Sequence, residues 1–164
     1  PSLVGSEMCI RDRGILVLIL DIVTKHWASA ALMGTSGIPV IDGFFHLTYV
    51  ENSGVAFGML QDKRIIFVTM SLLILFVLAM YFYKAKKRDV WLKLGTALIF
   101  AGSIGNLIER VTNGFVVDFL DFRVINFPVF NIADMAVCIG AAALVIHFLT
   151  SDTESKDKLN EKKE

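Results

Sequence analysis

The chain is short of charge and has no excess of either sign. Of its 164 residues 20% are charged and 55% hydrophobic, against roughly 25% and 45–50% in ordinary soluble domains. The apolar excess is concentrated in a few long runs, which excludes a soluble globular domain and a disordered chain alike. Sixteen basic and sixteen acidic residues cancel, so no global field draws polyanions and no nucleic-acid partner is expected. The two cysteines, Cys9 near the amino end and Cys138 inside an apolar run, lie too far apart to suggest a disulfide scaffold or a zinc site. Several catalytic motifs are missing as well. There is no HExxH for a membrane zinc protease. Gly102-Ser103-Ile104-Gly105 lacks the GxSG order of an intramembrane serine nucleophile, and points to helix packing. His26, His46 and His147 have no metal-like spacing, and no glycine loop suits a phosphate. Neither metal nor cofactor is expected, and no internal repeat is visible.

What is present is four spans of membrane length. A hydrocarbon core about 30 Å thick needs roughly 20 mostly apolar residues per helix. The runs 14–33, 65–83, 90–108 and 131–149 approach that length, the first interrupted by Asp21, Lys25 and His26. Lysine and arginine outside the spans divide ten against four, which places both termini and the 84–88 loop on the cytoplasmic side. The segments 34–64 and 109–128 then face outward. Within them 44–50 (FFHLTYV) and 114–122 (GFVVDFLDF) have strand composition, and Gly34, Gly37, Pro39, Gly43 and Gly54 supply turn signals. The expected architecture is a mainly α integral membrane protein: four transmembrane helices with a small extracytoplasmic β-cradle over their outer ends. Residues 14–150 form that unit. Residues 1–13 (PSLVGSEMCIRDR) match neither a signal peptide nor a helix start and are read as a fragment boundary or sequence artefact. Residues 151–164, alternating acids and bases, are expected to be a solvated, mobile tail, and His147 an interfacial residue at the cytoplasmic end.

Ionisable groups at membrane depth are costly unless paired, and usually serve a function. Asp21 and Lys25, four apart, share one helix face; they form either a self-neutralising structural pair or a contact with substrate or the site floor. A denser group follows. Asn106 and Arg110 lie one turn apart at the end of the third span; Asp118 and Asp121 follow in the outer loop; Asn131 and Asp134 share a face at the start of the fourth. A short outer connection joins the third and fourth helices, so these polar ends should meet. Asp121 reads as a turn residue. Two carboxylates brought together cannot both ionise comfortably and hold one proton between them. The ionised member can then deprotonate water while the protonated member polarises a carbonyl, which is peptide hydrolysis without a covalent intermediate. Asp134, in the first turn of a helix, would be the more often ionised partner. Taken alone, Asp134 reads equally as a helix-start residue capping free N–H groups.

The segments Asp21-Ile22-Val23-Thr24-Lys25, Glu51 to Gly58 (ENSGVAFG), Gly102 to Arg110 (GSIGNLIER), Val116-Val117-Asp118-Phe119 and Phe130-Asn131-Ile132-Ala133-Asp134 together resemble bacterial lipoprotein signal peptidase, the signal peptidase II family of aspartic membrane proteases. The resemblance runs from about residue 14 to 149. It implies removal of signal peptides from prolipoproteins, on the amino side of a diacylglyceryl-modified cysteine, at the outer face of the bacterial inner membrane. By motif, Asp118 and Asp134 correspond to the catalytic pair. Asn106, Arg110 and Asn131 correspond to groups supporting the dyad or substrate, and Asn52, Gly54 and Ala56 to the substrate groove. Phe44, Phe45, Phe57, Phe115 and Phe119 are available as apolar walls, with core packing or lipid contact as the ordinary alternative. The implied partners are diacylglyceryl-modified prolipoproteins, membrane lipid and a globomycin-type inhibitor, bound by a monomer. The rival classes are a small ion-coupled transporter, which would need carboxylates through the bilayer depth, and a non-catalytic assembly factor.

Overall fold

The computed structural model describes residues 3–54, 64–85, 89–125 and 127–161, with side chains over 12–54, 64–85, 89–125 and 127–151. The chain runs α1 (Leu3–Leu32), β1 (Ile38–Ile41), β2 (Phe45–Asn52), α2 (Arg64–Lys84), α3 (Val90–Thr112), β3 (Val116–Phe122) and α4 (Ile132–Glu161). The windows Asp12–Leu32, Arg64–Lys84, Val90–Thr112 and Ile132–Ser151 are each long and apolar enough to cross a membrane. The molecule is a multi-pass membrane protein with a three-stranded antiparallel sheet, ordered β1-β2-β3.

Both chain ends extend the helices they join. Residues 3–13 are helical and continuous with α1. Gly14 lies within the helix, where its missing side chain admits α3: a Cβ there would lie 3.3 Å from the Ala97 carbonyl oxygen. The carboxyl end is likewise helical, to Glu161. No Gly or Pro follows Gly140, and Glu and Lys are good helix formers, so a segment with Leu159 as its one apolar residue after Thr150 keeps the backbone ladder. Residues 86–88 of the basic loop lie outside the described residues.

Helix α3 is the centre of the bundle, packed on α4, α1 and α2. Small residues bring it close to α4. A Cβ on Gly95 would meet the Gly140 carbonyl oxygen at 2.8 Å, and one on Gly102 would collide with the Ala133 carbonyl oxygen. The GSIG segment is therefore a packing surface, as anticipated. Helix α2 lies outermost, its Ile65, Phe76 and Tyr83 largely exposed. His147 is buried rather than interfacial, held between the Asp89 carboxylate (Nδ1 to Oδ2, 2.7 Å) and the Tyr81 hydroxyl (Nε2 to O, 3.1 Å). Asp89 also caps α3 by accepting from Leu92 N–H at 2.9 Å, so this cluster joins α2, α3 and α4 at one end of the bundle.

The sheet covers the other end. Val117 and Phe119 of β3 pack with Ala28 and Leu32 of α1, and Leu47, Tyr49 and Ile132 close around them. The two strands expected from composition are β2 and β3; β1, read as a glycine-punctuated turn region, adds a third, paired through Ile38↔Leu47 and Pro39↔His46. Between Leu47 and Val50 strand β2 carries one extra residue relative to β3. A one-residue shift exchanges the faces of every side chain beyond it, and here it puts Asn52, opposite Val116, on the face that carries Asp118.

Candidate active site

Four elements end where the sheet meets the bundle, and each delivers polar side chains to one place. Asn131 and Asp134 occupy the N-cap and third positions of α4. The Asn131 side-chain oxygen accepts from Asp134 N–H at 2.9 Å, and Asp134 Oδ2 accepts from Asn131 N–H at 3.2 Å. This is a reciprocal capping box. Asp134 is thus the helix-start residue considered above, and its second oxygen remains to accept from Asn106 Nδ2 at 2.7 Å.

Asp118 arrives from β3. Gly114, at φ 89°, turns the chain after α3 so that β3 runs back over the helix ends. Alternation along the strand sends Val117 and Phe119 into the core and Asp118 to the opposite face. Its carboxylate accepts from Asn131 Nδ2 at 2.6 Å and from Asn52 Nδ2 at 2.8 Å. The segment before α4 is bonded to the same strand: Phe119 N–H and Leu120 N–H both donate to the Phe130 carbonyl, at 3.0 and 2.9 Å. Asn131 therefore touches both acids, one through its side chain and one through its backbone.

Beneath lies a buried ionic floor. Lys25 Nζ stands 2.8 Å from Asp21 Oδ2 and 3.1 Å from Glu109 Oε2, and donates to Asn106 Oδ1 at 2.8 Å. Lysine has only donors, so this contact fixes the Asn106 amide with its oxygen toward Lys25 and its N–H group toward Asp134. Asp21 Oδ1 in turn accepts from Ala133 N–H at 2.9 Å, satisfying another free donor at the start of α4. Asp21 and Lys25, 0% and 2% exposed, pair with each other and also bond Asn106 and the start of α4, so they lie under the acids and outside the cleft lining.

Two cations, Lys25 and Arg110, face four carboxylates here. That excess favours retention of a proton. The Asp118 carboxyl is pushed up to about 7, first by burial and then by the nearby Asp134 charge, against the lowering effect of its Asn52 and Asn131 hydrogen bonds and of Lys25.

Above the acids opens a cleft of about 620 Å³, lined by Asn52, Gly54, Arg110, Asp118 and Asp134 on its polar side and by Phe127–Phe130, Met135, Cys138 and Ile139 on its apolar side. Arg110 also lies over the Phe67 ring, 5.4 Å from its centroid. Of the two readings of the phenylalanines, packing holds: Phe44 and Phe45 pack on Phe122, Phe119 belongs to the core with Phe115 against it, and the cleft is lined by Phe127 and Phe130. Strand alternation is the reason, since Phe119 must point away from Asp118. Ala56 and Phe57 lie outside the described residues. Asp121, expected in a turn, stands instead in β3 opposite His46, accepting from Thr48 at 3.1 Å and Arg123 at 2.9 Å. Glu109 was passed over, although its spacing of three from Asn106 puts both on one helix face; Cys138, one turn after Asp134, was legible in the same way. Cys138 is exposed and carries a free thiol, and no cluster of metal-ligating groups occurs among the described residues.

Comparison with known proteins agrees with this geometry. Residues 14–150 match the family described as signal peptidase (SPase) II. The lipoprotein signal peptidase of Clostridioides difficile strain 630 is 45% identical over 142 residues, covering 87% of this chain and 95% of that protein. That of Halothermothrix orenii is 41% identical over 133 residues, covering 81% and 90%. A solved bacterial membrane enzyme, determined in meso at 2.3 Å resolution, superposes with a TM-score of 0.81 at 32% identity over 93% of this chain and 92% of that one. A chain that matches over nearly its whole span belongs to the signal peptidase II family, the lipoprotein signal peptidases.

Proposed function

We propose that the chain is an aspartic endopeptidase in which Asp118 and Asp134 share one proton and activate a water against the bond on the amino side of a diacylglyceryl-modified cysteine. The observation that carries this is Asn131, whose side-chain and backbone N–H groups hold the two acids together at 2.6 and 3.2 Å. In the resting state Asp134 is the ionised base, supported by its capping position at a helix N-terminus, and Asp118 is the proton donor, supported by its raised pKa of about 7. The base takes a proton from water, the hydroxide adds to the scissile carbonyl, and Asp118 donates its proton to the developing oxyanion. Collapse of the tetrahedral species then passes a proton from Asp134 to the leaving amine, and Asp118 recovers its own from the new carboxyl, so protons balance and no covalent enzyme intermediate forms.

The apolar wall of Phe127, Phe130, Met135 and Ile139 suits the signal peptide and lipid chains; Asn52, Gly54 and Arg110 bind the peptide backbone at the polar rim. A lipid-anchored cysteine holds its scissile bond at the bilayer surface, where the helix ends place the acids. The charge distribution outside the spans orients both termini to the cytoplasm and the cleft to the outer face of the inner membrane. A globomycin-type cyclic peptide would fill the same cleft, and the enzyme acts as a monomer.

The test is cleavage of a diacylglyceryl-modified prolipoprotein by the purified protein in detergent. Asp118→Asn and Asp134→Asn should each lower kcat by about 100- to 10,000-fold, the usual contribution of a positioned acid or base, with folding retained. Full activity in either variant rejects the dyad.

A further inference from the structure

We propose that Glu109, which is outside the cleft, is a positioning residue that clamps the strand bearing Asp118 to the helix network holding Asp134. The inference rests on the dyad reading above and concerns what sets the separation of the two acids. They come from unlike elements: Asp134 belongs to a helix locked into the bundle, Asp118 to a strand laid over it. One carboxylate oxygen joins the two. Glu109 Oε2 accepts from Lys25 Nζ at 3.1 Å and from the backbone N–H of Val117 at 3.0 Å. Lys25 is the ion that holds Asn106 on Asp134, and Val117 is the residue immediately before Asp118.

The peptide groups on either side of Asp118 are thus pinned to different helices. Val117 N–H is held by α3 through Glu109, and Phe119 N–H by the lead-in to α4 through the Phe130 carbonyl at 3.0 Å. Val117 is 3% exposed, so its N–H has no ready substitute in water. Removal of the Glu109 acceptor leaves the Val117 end of β3 held by its pairing with β2 alone and lets Asp118 move off its partner. A displacement of about 1 Å at reacting groups can cost about 100-fold in rate. The charged groups facing Asp118 are Asp134 from α4, Lys25 from α1 and Arg110 from α3; as Asp134 recedes, one cause of the raised Asp118 pKa weakens. The cleft lining does not include Glu109, so substrate binding should be spared.

The experiment compares Glu109→Ala, which has no acceptor, with Glu109→Gln, which keeps an oxygen for Val117 but loses the charge toward Lys25. Each is assayed on a diacylglyceryl-modified prolipoprotein for kcat, KM, pH profile and melting temperature, beside Asp118→Asn and Asp134→Asn. Glu109→Ala should lower kcat by about 10- to 100-fold with KM within about threefold, and move the alkaline limb of the profile down by about one pH unit. Glu109→Gln should stay within about threefold of wild type, with its limb unmoved. Wild-type kcat and profile in Glu109→Ala overturn the clamp, as does an equal loss in Glu109→Gln or a loss confined to KM. If Glu109→Ala does not fold, Glu109→Met, which keeps the length without an acceptor, takes its place under the same criteria. Activity retained in the two Asp→Asn variants rejects the dyad itself, whereas activity lost there and intact in Glu109→Ala rejects the clamp alone.

Discussion

Asn131 shows how one residue serves folding and chemistry together. Its side-chain oxygen caps α4, its side-chain nitrogen binds Asp118, and its backbone N–H binds Asp134. Asn131→Ala removes two of these contacts and leaves a buried carboxylate short of a donor, which costs about 1–3 kcal/mol. The expected outcome is a kcat reduced by about 100-fold or more with a lowered melting temperature, measured on the same preparation. Asp118 sets the pH response. With its proton released near 7, raising the pH through that value leaves both acids ionised and no group to polarise the carbonyl, so kcat should fall on the alkaline side. Lowering the pH until Asp134 also takes a proton removes the base. A bell-shaped profile with its alkaline limb near 7 in wild type checks the sign; a rate that rises through that range contradicts it. Asp118, Asn131 and Asp134 were legible in the sequence as candidates, Asn131 and Asp134 by their helix spacing and Asp118 by its motif. The bond from Asn52 to Asp118 was not derivable from spacing, since it depends on the extra residue in β2, and a bulge leaves no mark in strand composition.

At the scale of elements, the contact between α3 and α4 decides whether the acids meet. Gly102 lies against the Ala133 backbone, where a side chain has no room. Gly102→Val should therefore cost about 1–3 kcal/mol or more by overpacking, read as a lower melting temperature, and should lower kcat, because the displaced backbone lies next to Asp134. The floor makes a second demand. Lys25 and Asp21 have side chains only 2% and 1% exposed, and Lys25→Met leaves buried carboxylates uncompensated. A loss of about 3–5 kcal/mol is expected for breaking one side of such a pair, so the variant should be recovered in poor yield or unfold at much lower temperature. Helix positions and the two longer strands were readable from apolar runs and β-branched composition. The helical ends at 3–13 and 152–161 and the strand at 38–41 were not, because composition reports what a segment can pack against, whereas these follow from an unbroken backbone ladder and from pairing with β2.

For the whole molecule, polar chemistry is divided between two ends. The acids, their floor and the sheet occupy one; the Tyr81–His147–Asp89 cluster ties three helices at the other. His147→Leu should lower the melting temperature, by about 1–3 kcal/mol of lost hydrogen bonding, while leaving kcat and its pH profile unchanged in detergent. Orientation is tested separately. In a background with Cys9 and Cys138 replaced by Ser, a cysteine at Thr35 should react with an impermeant maleimide added to intact spheroplasts, and one at Lys84 only after lysis. The reverse pattern contradicts the assigned topology.

Four spans and the presence of two candidate acids follow from the sequence alone, because bilayer thickness and helical periodicity each act over a few neighbouring residues. Convergence is a different kind of fact. Asp118 and Asp134 meet because a glycine turn folds β3 back across the bundle, small residues draw α4 onto α3, and Asn131, Asn106, Lys25 and Glu109 join three helices and a strand through contacts as distant in sequence as those of Lys25 with Asn106 and Glu109. Such contacts depend on the relative placement of whole elements, so the tertiary structure alone decides them.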